Sequence, residues 1–121
     1  GVAPEQGEYI NPHGTGTQIN DGVETKAIKL ALGAQAGKVA ISSTKSMHGH
    51  GLGAAGALEI IATVKAVQEQ FVPPTIAFGT PDPECDLDYT PNQGRKLAIE
   101  AALSNSFAFG GLNAVVAVKA V

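Results

Sequence analysis

The chain has 121 residues, enough for one domain with a true core and too few for two, since a chain of this size buries roughly two-thirds of its unfolded surface. A net charge of −3 with no basic run leaves nothing to neutralise phosphates, which argues against nucleic acid as a partner. One cysteine allows no internal disulfide framework, and the most apolar stretch, residues 51–67, carries Glu59 and Lys65, so it reads as a buried helix and not as a membrane span.

In chain order, Glu8-Tyr9-Ile10-Asn11 is a short strand that Pro12, Gly14 and Gly16 bring to a stop, and a loop carrying His13 follows. Asp21 is placed to cap a helix and Glu24 to bond back to it, with Val23, Ala27, Leu30 and Ala31 as its apolar stripe and Gly33 as its end. Val39-Ala40-Ile41 is a second strand, after which a glycine-punctuated loop runs into a helix over about residues 53–70. Pro73-Pro74, Pro81 and Pro83 bound an irregular surface connection that reaches Gly94. Leu97, Ile99, Ala101 and Leu103 alternate with their neighbours at strand period, and the nearly continuous apolar run 114–121 predicts a last strand covered on both faces. Strand-helix repeats followed by two adjacent strands imply an α/β fold, a single domain over residues 1–121 with a mixed sheet and helices packed on it. No basic-then-apolar leader opens the chain, so a reducing, cytoplasm-like compartment is expected.

Three segments put reactive or backbone-permissive residues beyond the ends of predicted strands, where open α/β sheets place their ligands. They are Asn11-Pro12-His13-Gly14-Thr15-Gly16-Thr17, then 42–51 with Lys45, His48 and His50, and last Asn105-Ser106-Phe107-Ala108-Phe109-Gly110-Gly111. A histidine followed by Gly-Thr-Gly-Thr, a lysine five residues before a second histidine and a Phe-x-Phe-Gly-Gly turn occur here in one order. In this the chain resembles the C-terminal half of the β-ketoacyl-acyl-carrier-protein synthases of the thiolase-like superfamily, closest to the type II elongating condensing enzymes.

That resemblance implies a decarboxylating Claisen condensation, in which the carbanion released from malonyl-acyl-carrier protein attacks an acyl group held on a cysteine. It makes His13 and His50 the paired histidines, Lys45 the active-site lysine, Glu59 its ion-pair partner, and Phe109 the gate beside the acyl-bearing cysteine, with Gly110 and Gly111 letting that loop move. Two neutral imidazoles can each donate one N–H to an enolate oxygen. The position of His50 just ahead of a helix would disfavour its protonation. The resemblance further implies acyl carrier protein and the N-terminal half of the synthase as partners, a homodimer when complete, no cofactor, and a cytoplasmic protein (in a eukaryote, one of the plastid or mitochondrial matrix). The nucleophilic cysteine belongs to the N-terminal half. Without it this chain alone should condense nothing, and the alternatives left open are a non-catalytic chain-length-factor-like subunit or part of a polyketide ketosynthase. Ala108 and Leu112 depart from the family's usual glycine and threonine.

Other readings of the same residues are weaker. Gly51-Leu52-Gly53-Ala54-Ala55-Gly56 fits a dinucleotide fingerprint, but the acidic residue expected about twenty positions on is absent, with Phe71 and Val72 there instead. The glycines fit close packing of helix on sheet better. His13, His48 and His50 could hold zinc, yet no convincing further ligand stands near them in sequence. His48 is left as an exposed neighbour or a tuner of the site. Cys85 is no candidate nucleophile, because Asp82, Glu84, Asp86 and Asp88 around it should raise its thiol pKa.

Overall fold

A computed structural model describes residues 3–121. Its central sheet is ordered β2-β1-β5-β6, from β1 (Gly7–Asn11), β2 (Ala40–Ile41), β5 (Ala101–Ala108) and β6 (Leu112–Lys119). β1 runs parallel to both β2 and β5, and β6 returns antiparallel to β5. Between these lie α1 (Gln18–Leu32), the one-turn α2 (Lys45–His48) and α3 (Ala55–Glu69), while β3 (Phe71–Val72) and β4 (Arg95–Lys96) form a separate two-stranded ribbon.

Strand alternation divides the core in two. Tyr9, Ala40 and Ala102 point to one face and pack with Ala66 and Val67 of α3, Val72 and Ile99. Ile10 and Ile41 point to the other, against Ile28 of α1, Ala36 and Val39. Successive residues on a strand face opposite ways, so each short run of β1 serves both layers.

Several expectations are corrected. The apolar stripe assigned to α1 faces outward: Val23 is 60% and Leu30 87% exposed, whereas Gly22, Glu24, Thr25 and Ile28 are buried. The helix also starts earlier, with Thr17 as its N-cap and no side-chain capping bond, so Asp21 sits inside the first turn and Glu24 is free for other partners. Gly33 ends the helix as expected, at φ 54°. The last strand is not covered on both faces, since nearly all of β6 is exposed. β5 begins only at Ala101, which moves Asn105, Ser106 and Phe107 from the turn into the strand. The proline-rich connection is pinned to α1 by the Lys26–Glu84 and Lys29–Asp86 ion pairs. No helix among the described residues is long and apolar enough to cross a membrane.

Ile28→Ala is expected to lower the unfolding free energy of this chain by roughly 2–5 kcal/mol, and Leu30→Ala by less than about 0.5 kcal/mol, as read by urea denaturation. Equal costs would mean that the two faces of α1 are wrongly assigned.

Candidate active site

Because β1, β2 and β5 are parallel, their C-terminal ends share one edge of the sheet, and the three motif segments meet there. The His13 and His50 rings stand edge to face with centroids 5.5 Å apart at 82°. Phe107, on β5, packs on His13 at 5.7 Å. His50 accepts the Leu52 backbone N–H at Nδ1 (3.1 Å). An acceptor at Nδ1 leaves the ring proton on Nε2, which makes Nε2–H the donor of this ring.

Lys45 is buried at the start of α2 and donates both to Glu59 Oε1 on α3 and to the His13 carbonyl. Glu59 is wholly buried, and its Oε2 has no hydrogen-bond partner among the described residues. A carboxylate in that position is tolerable only with a cation beside it. Asn11 binds these elements together: its Nδ2 donates to Thr44 Oγ1 (3.0 Å) and to the Glu59 carbonyl (3.3 Å).

Glu24 is the site residue that sequence reasoning missed. Its carboxylate accepts the backbone N–H groups of His13 and Gly14, each at 2.9 Å, and the Asn105 side-chain amide at 3.1 Å. The loop bearing His13 is thereby held from α1, and β5 is held to both. The available signal was a carboxylate on the helix directly after a glycine-rich loop with unpaired N–H groups, but its spacing from Asp21 resembled a capping box. Gly14 is under a second constraint: at φ 42°, a Cβ there would lie 2.7 Å from Ser43 Oγ, which donates to the Gly14 carbonyl.

The His13 pKa is lowered from its ordinary value, first by burial and then by the Lys45 ammonium and His50, against Glu24 and Asp21. Its Nδ1 is buried without a partner among the described residues. Both features favour the neutral ring.

A cleft of 590 Å³ has His50 among its walls, with Gly14, Thr17, Lys45, Phe78 and Cys85, whereas His13 does not line it. The Cys85 thiol is indeed raised, but burial is the first cause, followed on the raising side by Asp82, Asp21 and Glu84; the Thr25 hydrogen bond opposes them. Asp86 and Asp88 are engaged by Lys29 and Arg95. The His48 ring bonds to Thr44 Oγ1 and to the Gly49 carbonyl oxygen. Phe109 is fully exposed at the β5–β6 turn and is not the aromatic on His13, while Gly110 and Gly111 take φ 81° and 79°. Gly56 does sit close to the sheet, where a Cβ would be 3.4 Å from Ser106 Oγ. Among the described residues no three His, Cys, Asp or Glu side chains gather as a metal ion would require.

Residues 1–79 match the family model described as the C-terminal domain of β-ketoacyl synthase. The chain is 58% identical over 98% of its length to a 3-oxoacyl-[acyl-carrier-protein] synthase 2 of Synechocystis sp., of which it covers 29%. It is 55% identical over its whole length to nodulation protein E of a Rhizobium species, covering 30% of that protein. Among solved structures, it superposes with a TM-score of 0.97 and 46% identity on a type II polyketide ketosynthase in complex with its acyl-carrier protein, covering 99% of this chain and 29% of that one. A β-ketoacyl synthase from Burkholderia phymatum gives a TM-score of 0.92 at 36% identity, covering 99% of this chain and 29% of that one. The fold is therefore that of the thiolase-like ketosynthases. The chain belongs to the β-ketoacyl synthase family and is its C-terminal part, spanning less than a third of the length of the curated relatives it matches.

Two outcomes test the site's electrostatics. The unfolded chain protonates His13 at a higher pH than the folded chain does. This ring's contribution to stability is thus complete above about pH 6.5 and is lost as the pH falls through the folded midpoint. In an NMR titration that midpoint should lie below the ordinary histidine value and rise in Lys45→Met; an unshifted midpoint in the unsubstituted chain contradicts the reading. Lys45→Met or Glu59→Leu alone should destabilise by roughly 3–5 kcal/mol, and the double variant by less than either. Additive losses in denaturant melts would show that the two charges do not depend on each other.

Proposed function

We propose that the protein to which this chain contributes its C-terminal part is a 3-oxoacyl-acyl-carrier-protein synthase, with His13, His50 and Lys45 forming its decarboxylation site. The observation that carries the reading is the meeting of two imidazoles, 37 residues apart in sequence, at 5.5 Å beside a buried ammonium. In the proposed step the bond between the malonyl Cα and its carboxylate breaks and carbon dioxide leaves. The electron pair moves toward the thioester oxygen as an enolate. One N–H from each neutral ring stabilises that oxygen, and donors already aimed at it need no reorganisation as charge develops. The carbanion then attacks the acyl thioester on the cysteine, and the cysteine thiolate is expelled as the new carbon–carbon bond forms.

Lys45 has a supporting part in this reading. Its ammonium opposes protonation of His13 and anchors the His13 carbonyl, while Glu59 fixes it in place. Phe109, followed by two glycines at positive φ, is suited to move as the gate over the acyl site. The nucleophilic cysteine and the other half of the synthase fall to the portion of the relatives that this chain does not cover, and the complete protein is a homodimer. Acyl carrier protein is the proposed partner, in fatty acid or polyketide synthesis.

In the full-length protein, His13→Ala and His50→Ala should each slow malonyl-thioester decarboxylation by about 10²–10³-fold, with transfer of an acyl group onto the enzyme retained. Release of carbon dioxide at the unsubstituted rate in either variant would refute the assignment.

A further inference from the structure

His48 closes α2, a helix of four residues with no side-chain N-cap. One turn is not self-supporting in water. Here the His48 ring reaches both ends of that turn, with Nε2 at 3.0 Å from Thr44 Oγ1 and Nδ1 at 2.8 Å from the Gly49 carbonyl oxygen. A carbonyl only accepts, so Nδ1 carries the hydrogen, while the Thr44 hydroxyl lies within reach of both Nε2 and Asn11 Oδ1. Thr44 Oγ1 in turn accepts from Asn11 Nδ2, which also donates to the Glu59 carbonyl. The polar chain that stabilises the core of the site thus ends at His48.

Gly49 stands at φ 78° and ψ −177°, a region that side-chain-bearing residues avoid. No atom lies within 4 Å of the place where its Cβ would be, so side-chain packing does not hold this residue. A peptide group is planar, which puts the Gly49 carbonyl in the same rigid plane as the nitrogen and Cα of His50. The hydrogen bond from His48 Nδ1 therefore fixes the plane from which the His50 side chain departs.

We propose that His48 is a positioning residue for His50, setting the direction in which the His50 Nε2–H points into the cleft. The proposal rests on the reading of His50 as a donor to the enolate. A misplacement of the order of 1 Å at such a donor costs about ten- to a hundredfold in rate.

In the full-length protein, His48→Leu is accordingly expected to slow malonyl-thioester decarboxylation about ten- to a hundredfold, with acyl transfer onto the enzyme retained. His48→Asn puts an N–H donor where Nδ1 stood and should recover most of the rate. His48→Gln keeps only the reach to Thr44 and should not. Equal behaviour of the Asn and Gln variants, or a loss of acyl transfer in step with decarboxylation, overturns the proposal and leaves His48 as a staple of α2. A second arm does not depend on turnover. Nitrogen NMR of the His50 ring should report protonation on Nε2 in the unsubstituted protein and a tautomer mixture in His48→Leu, and an unchanged His50 spectrum also overturns it. If the unsubstituted protein releases no carbon dioxide from malonyl thioesters, the functional reading fails by itself while the spectra still decide the role of His48.

Discussion

The site depends on a single buried ammonium group. Lys45 links α2 to α3 through Glu59 and links both to the end of β1 through the His13 carbonyl. Removing a charge from water costs several kcal/mol before any partner is counted, so these three elements can lie where they do only if the ammonium, the carboxylate and the carbonyl arrive together. The arrangement is expensive as a source of stability. Its value lies in geometry, because a charge that cannot relax imposes one relative placement on the segments around it.

Around that fixed point the remaining polar groups do separate tasks. Glu24 holds the His13 loop by its backbone, Asn11 ties Thr44 to the Glu59 carbonyl, and the Leu52 N–H selects the tautomer of His50. Glu24 also lines the cleft and the bond from Leu52 lies at the surface, so the two rings are held from several sides. Such rigidity is what preorganised donors require.

Much of this was legible in the sequence, and the failures have physical causes. β1, the end of α1 at Gly33 and the span of α3 followed from glycine and proline punctuation and from apolar runs, which are local signals. The meeting of His13 with His50 and the pairing of Lys45 with Glu59 were legible only through the motif order, since nothing local brings residues so far apart together. The buried face of α1 was misread. Val23, Ala27, Leu30 and Ala31 form a regular stripe, yet the donors offered by His13, Gly14 and Asn105 draw the polar Glu24 inward instead. Periodicity cannot weigh a carboxylate whose partners lie outside its helix, one of them 81 residues away. The last strand was misread for a related reason: an apolar run announces that something covers it, but not whether the cover lies within the same 121 residues.

That final strand has a practical consequence. β6 pairs with β5 on one side only and presents valines at 115 and 116, exposed by 56% and 49%, in a segment without proline. An open edge with unpaired N–H and C=O groups and high β-propensity invites strand addition from neighbouring molecules. Overproduced by itself, this polypeptide would be prone to self-association into insoluble material, and a lysine introduced at Val115 or Val116 would be the simplest safeguard for handling it in solution.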